Sequence, residues 1–304
     1  MKPKEYPSME QNKLSRRGFI RQAGVGLAAA AVGLAGCAPK EVIKEVPFEV
    51  TREVTRQVTT EVEKEIIKEV GPEIPAYPWT YVKLDVETVR KKGHAKYYIG
   101  DCCYGSFAAI VESLQEAAGY PFTQIPMDMM GFGAGGVAGW GTTCGALIGA
   151  SAAINLVTDK ETSRKLAGEL VGWYTRTPFP SDTANQYAVE HAYLVEEYKS
   201  DKALPQSVSD SPLCHVSVTE WCQTAEMGSG TKERAERCGR LAGDVAAKAV
   251  ELLNANLDGA FVPVFAFTDE NKGCMACHSS GENVSMGQFT QGKMECVSCH
   301  DPHD

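Results

Sequence analysis

The sequence predicts a mainly α-helical core followed by an irregular C-terminal segment. Three observations carry this expectation. Apolar residues recur at helical spacing in several stretches between positions 104 and 254, alternating strand patterns are scarce, and the chain beyond residue 260 loses its periodicity and carries two cysteine pairs.

Taken in order, the chain opens with "SRRGFIRQAGVGLAAAAVGLAGC", in which Arg16 and Arg17 precede Phe19 and a short run of small apolar residues. The run is too short for a comfortable membrane span and has the layout of a secretion signal. The paired arginines resemble a twin-arginine export signal. Leu34-Ala35-Gly36-Cys37 resembles a lipobox, so residues 1–36 are expected to be removed and Cys37 to become a lipidated N-terminus. The mature chain is then expected outside the cytoplasm, tethered to the outer face of the cytoplasmic membrane.

Residues 37–76 read as a spacer. Val42, Val46, Val50, Val54, Val58, Val62, Ile66 and Val70 recur every four positions among Glu, Lys and Thr. A four-residue repeat drifts around a 3.6-residue helix and forms no straight apolar seam. The stretch is too polar to build a core. "GPEIPAYP" marks the start of the folded part, expected over 77–260. The formal charge of −9, without basic clusters, argues against nucleic-acid binding and favours no partner in particular. An acidic surface would serve to steer a basic redox partner protein or simply to keep the chain soluble.

Within the core, Phe107, Ile110, Val111 and Leu114 mark one helix over 104–118, stopped by Gly119-Tyr120-Pro121. "TDKE" at 158–161 has capping-box form and opens a helix through Leu166, Leu170 and Trp173. Further helices are expected over 184–199 and 232–254. The second has the clearest stripe: Ala235, Cys238, Leu241, Ala242, Val245, Ala249 and Leu252. "GFGAGGVAGWG" at 131–141 contains a literal GxGxxG, but no strand precedes it. Its glycines are expected to let the backbone pass close to something bulky, such as a cofactor.

The last segment, 261–304, holds Cys274, Cys277, Cys296 and Cys299 as C-x2-C-x18-C-x2-C, a spacing also found in zinc ribbons. His278 and His300 follow the two pairs directly. A four-thiolate zinc site has no use for them, whereas a c-type haem takes two thioethers and an axial nitrogen from the next residue. Two haems c are therefore expected, with His278 and His300 as proximal ligands. These histidines are only 22 positions apart, close enough for the two haems to touch.

Six further cysteines remain in the core: Cys102, Cys103, Cys144, Cys214, Cys222 and Cys238. Disulfides are the ordinary expectation for an exported chain. The adjacency of Cys102 and Cys103 and the place of Cys238 on a helical stripe speak against them. Twin-arginine export carries folded cargo, often with a cofactor already inserted, and haem c is attached only after export. Spare thiolates suit an iron–sulfur cluster.

Four stretches together resemble a known family. "GHAKYYIGDCCYGSF" (93–107), "MMGFGAGGVAGWGTTCGALIGA" (129–150), "PLCHVSVTEWC" (212–222) and "ERCGRLAGDVAAKAVELLN" (236–254), followed by the two CxxCH motifs, are similar to the split-Soret cytochromes c. The middle of the chain resembles the wider family named for its C…GCAxxG…C…C pattern, with Cys144-Gly145-Ala146 standing where that name has Gly-Cys-Ala. The resemblance implies a mostly helical homodimer with two closely packed haems per subunit, a [2Fe–2S] cluster in each subunit and a role in anaerobic electron transfer. Carried over by position, the cluster ligands fall on Cys103, Cys144, Cys222 and Cys238, with Cys102 and Cys214 in reserve. His94 and His215 lie inside family-like motifs and are the candidate distal haem ligands. His191 reads as a surface or packing residue, and His303 is too near His300 to reach the opposite face of the same haem. A lipid-tethered dihaem electron carrier is thus the leading expectation. A haem-based reductase of small molecules, with one iron left open, is the enzyme alternative.

Overall fold

The computed structural model of the chain describes residues 73–301. The export signal, Cys37, nearly all of the valine-repeat spacer and His303 lie outside the described residues. Among those described, seven α-helices and three short 3₁₀ turns supply the regular structure, and extended pairing is limited to the isolated bridges Thr143–Leu213 and Phe179–Ser207. The fold is mainly α, as the periodicity predicts.

Helix α1 (Val86–Ala118) starts at Asp85, whose carboxylate accepts from the Thr88 N–H. It is not one straight rod. Gly100 (φ −142°, ψ 27°) and Asp101 (φ 64°, ψ −168°) leave helical geometry, and the chain folds back on itself. Lys96 and Glu112 would stand roughly 24 Å apart on a continuous helix; here their charged groups meet at 2.7 Å. The helix expected over 104–118 is therefore the second limb of a helical hairpin, and its first limb was not legible from periodicity.

Helix α2 (Gly145–Val157) and helix α3 (Lys160–Arg176) follow, then α4 (Asp182–Val189), α5 (Cys214–Ala225), α6 (Lys232–Leu257) and α7 (Asp269–His278). α2 is apolar nearly all round, so it has no stripe to read; it is buried against α1, α3 and α6. The capping residue of α3 is Asp159 rather than Thr158, and its Oδ1 accepts from the Glu161 and Thr162 N–H groups at 2.9 and 3.1 Å. The helix expected over 184–199 ends ten residues early, at Val189. Beyond it Tyr193 and Tyr198 pack with Ala184 and Ala188 in a small separate cluster, so apolar burial there does not need a helix.

The core gathers around α6, which runs antiparallel to the first limb of α1. Tyr81 bonds Asn254 at one end of this contact, and Tyr97 covers Gly239 at the other. Val89, Ile110, Leu114, Leu147, Ile154, Leu166, Leu170, Val245 and Val250 fill the space between the helices. The α1–α6 crossing is close because glycines face each other. A Cβ on Gly243 would lie 2.5 Å from the Arg90 carbonyl oxygen, and one on Gly93 would lie 2.8 Å from the Gly243 Cα.

The C-terminal segment is hung on α3. The Glu169 carboxylate accepts from the Val264 and Phe265 N–H groups at 3.1 and 3.0 Å, and Phe265 lies directly over Gly172. The segment was expected to be largely irregular. It contains α7, opened by the Thr268 side chain, before becoming irregular.

Gly243→Ala is expected to cost about 1–3 kcal/mol, because backbone rather than a flexible side chain obstructs the new methyl. Gly168→Ala, mid-helix with open space around it, should be neutral or stabilise by up to about 1 kcal/mol. Urea unfolding of both variants checks the contrast.

Candidate metal centre

Three of the six core cysteines stand where helices begin. Cys102 is the first residue after the α1 reversal, Cys144 is the N-cap of α2, and Cys214 is the first residue of α5. The bridge between Thr143 and Leu213 sets the last two side by side: the Cys144 N–H donates to the Pro212 carbonyl at 2.8 Å, and the Cys214 N–H to the Thr142 carbonyl at 2.7 Å. Cys238 comes to the same place from the flank of α6. Three helix N-termini, each with positive dipole ends and unpaired N–H groups, therefore converge on one group of sulfurs.

The glycine-rich loop closes over this group. The Gly135 N–H faces the Cys102 sulfur and the Gly133 N–H that of Cys103. A Cβ on Gly133 would meet the Cys103 sulfur at 2.3 Å, and one on Gly145 the Cys102 sulfur at 2.5 Å. Gly136 (φ +67°) combines a left-handed backbone with a close approach to Cys214. The loop is preceded by a 3₁₀ turn, Met127–Gly133, and packs on cysteines. The glycines do what close backbone passage demands.

The sulfurs brought together differ from those expected. Cys102 lies within electrostatic reach of Cys144, Cys238 and Cys214, whereas Cys103 reaches only Cys144 among them. Cys214 likewise faces Cys144 and Cys238, while Cys222 faces Cys238 and the arginines Arg234 and Arg237. Cys102 and Cys214 thus each face at least two other core cysteines, and Cys103 and Cys222 one each. Adjacent residues project about 100° apart, so Cys102 and Cys103 meet the group from different sides. Burial pushes the Cys102 thiol well up and Cys214 up to about 12, so at neutral pH the thiols are protonated until a metal displaces the protons. No disulfide joins cysteines among the described residues. Nor, among them, do three potential ligands surround one point.

The two CxxCH motifs are neighbours. Cys274 and Cys277 stand one turn apart on α7, with His278 its last residue, and the second motif forms a turn in which the His300 N–H donates to the Cys296 carbonyl at 2.9 Å. The Cys296 thiol lies against Cys274 and donates to the Asn271 side-chain oxygen at 2.8 Å. Glu295 ties the second motif to the start of α7 through Thr268 at 2.7 Å. His278 Nδ1 is 3.2 Å from the Gly287 carbonyl oxygen, a contact that orients the ring. Around the motifs, Val284, Met286 and Phe289 are 76, 62 and 69% exposed. Such a run of bare apolar side chains suits a planar apolar group laid over it.

The two candidate distal histidines separate. His215 is exposed in the first turn of α5. His94 is fully buried: Nε2 is 2.9 Å from Glu236 Oε1, and its ring stacks on Tyr193 at 3.7 Å. Packed in this way, His94 is a core residue, with its Nδ1 buried and unpartnered. His191, at φ 52° just beyond α4, is a surface residue facing Asp201 at 3.4 Å.

A family described as "Putative redox-active protein (C_GCAxxG_C_C)" matches residues 102–252, a span that begins at Cys102 and contains the whole cysteine group. The chain is thus a redox protein of the class defined by those cysteines. Its likeness extends further. It is 34% identical over 229 residues to the split-Soret cytochrome c of Desulfovibrio desulfuricans (strain ATCC 27774 / DSM 6949 / MB), covering 74% of this chain and 78% of that one. A solved structure of the same cytochrome, described for a novel iron centre, superposes with a TM-score of 0.65 at 32% identity, covering 77% of this chain and 95% of the other. The chain belongs to the split-Soret cytochrome c family.

Burial holds His94 neutral, its pKa below the usual 6.5, although Glu236 pulls the other way. The unfolded chain therefore takes up a proton near pH 6.5 that the folded chain refuses. Stability is expected to fall as pH drops from 7.5 to 5.5, by at most about 1.4 kcal/mol per pH unit from this group. His94→Gln should flatten the slope, as measured by urea unfolding at both pH values.

Proposed function

We propose that the protein is an exported, lipid-tethered electron carrier with two haems c and an iron–sulfur centre, passing electrons in anaerobic respiration. The observation that supports this most is the convergence of Cys102, Cys144, Cys214 and Cys238 beneath a glycine-rich cover, at three helix N-termini. A [2Fe–2S] centre takes two thiolates on each iron, so it asks for paired sulfurs rather than three ligands around one point. Bound haem and cluster supply one-electron chemistry; the chain's residues hold, bury and orient them.

Cys274 and Cys277 would fix one haem and Cys296 and Cys299 the other, with His278 and His300 on the irons. The contact between Cys274 and Cys296 brings the two attachment sites together. Beside the second motif runs a groove of about 410 Å³ between α3 and Lys293, Met294 and Glu295. Its apolar wall and flanking cations suit a macrocycle with anionic propionates. The twin-arginine signal and Cys37 would place the protein on the outer face of the cytoplasmic membrane, and cluster insertion before export accounts for the folded-cargo route. A homodimer is proposed on the strength of the family.

One observation keeps a second reading open. With His94 committed to the core, His215 alone remains of the two candidate distal ligands in a subunit with two haem sites. An iron left without a sixth ligand would bind small molecules, as a reductase requires.

Protein from a haem-maturing anaerobic host is expected to carry two covalent haems, a split Soret band and iron beyond the haem total. An ordinary Soret band without extra iron would reduce the reading to a dihaem cytochrome. Rapid carbon monoxide uptake by one haem of the reduced protein would replace the carrier with the reductase. Cys102→Ala is expected to lose most of the non-haem iron while Cys103→Ala retains most of it, both read by iron analysis at unchanged haem content; the reverse result would put Cys103 back among the ligands.

A further inference from the structure

Four charged residues on α6 are almost wholly inaccessible to solvent: Glu236, Arg237, Arg240 and Asp244. Three of them are balanced in the usual way. Asp244 pairs with Arg90 and accepts from the Ser181 N–H and hydroxyl at 3.0 and 2.7 Å. Glu236 pairs with Arg240 at 3.0 Å, and Arg240 also donates to the Asn185 side chain and the Lys202 and Ser200 carbonyls at 2.6 to 2.8 Å.

Arg237 is different. It is 2% exposed, yet no carboxylate pairs with it among the described residues. Its Nη2 donates to the Ser217 hydroxyl at 2.9 Å, and its buried Nε has no partner. A buried cation without an anion is strongly disfavoured, so a counter-charge is missing from the picture. The groups in its electrostatic field are Cys144, Cys214, Cys222 and Tyr174. Tyr174 closes the link: its hydroxyl shares Ser217 with Arg237 at 2.9 Å and also touches the Cys144 sulfur. One turn earlier Arg234, bonded to Cys238, brings a second cation to the same group.

We propose that Arg237 is the fixed, buried counter-charge of the cysteine centre, a positioning residue that stabilises thiolate-bound iron there and raises its reduction potential. This rests on the cluster reading above. A thiolate-held iron–sulfur centre is net anionic and gains negative charge on reduction, so a cation held nearby favours the reduced form. With no partner other than Ser217, the guanidinium finds no counter-charge in the polypeptide among the described residues.

The test compares Arg237→Gln, which keeps a donor for Ser217 but no charge, with Arg237→Lys, which keeps the charge, and with the exposed Lys202→Gln as control. Iron content is measured first, then the potential of the non-haem centre by a spectroscopically monitored titration, then urea unfolding of loaded and iron-free protein. Arg237→Gln is expected to shift the reduction equilibrium about tenfold toward the oxidised form, which is about 59 mV for a one-electron couple. Arg237→Lys should recover most of that shift, and the haem potentials should not move. Arg237→Gln should also weaken the loaded protein while leaving the iron-free protein as stable as the wild type or more so. Equal potentials in all variants, equal loss in the lysine and glutamine variants, or failure of iron-free Arg237→Gln to fold would each overturn the assignment and make Arg237 a structural residue. A wild type without non-haem iron would overturn the cluster reading itself, and this assignment with it.

Discussion

The reversal of α1 at Gly100–Asp101 is the constraint on which the rest depends. It turns what would be a rod of 33 residues into two antiparallel limbs, and the limbs together with α6 make the wall against which α2 and α3 pack. It also creates a helix N-terminus in the middle of the molecule, with Cys102 as its first residue. Asp101 at φ 64° and ψ −168° occupies a backbone state rare outside glycine. Strain of this kind persists where surrounding structure holds it, and here it stands immediately before a cysteine of the central group.

The electrostatics of the interior follow from the same arrangement. Three helix N-termini and two arginines of α6 face sulfurs that burial keeps neutral in the absence of metal. The environment is built for negative charge that the bare polypeptide does not carry. Elsewhere on α6 the buried charges have their opposites: Arg90 of α1 has Asp244, and Arg240 has Glu236. The contrast marks the cysteine group as the place where something anionic is expected.

The terminal segment is organised on a different principle. It has few buried apolar residues of its own and is attached to the core through Glu169, Phe265 and Glu295. Its apolar side chains face outward around the two CxxCH motifs. On the proposed function, such a segment would complete its core with a cofactor rather than with protein.

The amino-acid sequence by itself determined the helical class, the long α6 stripe and the paired CxxCH motifs with their adjacent histidines. These are local patterns: a period of 3.6 residues or a fixed covalent spacing survives without knowledge of the fold. Periodicity was silent for α2, because a helix buried all round has no polar face, and for the first limb of α1, because its partner surfaces come from both the second limb and α6. Only the tertiary structure decided that Cys102 and Cys214 each face at least two other core cysteines and Cys103 one, that His94 is a packed core residue and His215 a surface one, and that Arg237 has no carboxylate. Each of these depends on which way a side chain turns relative to residues roughly 40 to 140 positions away, and no local period encodes that direction.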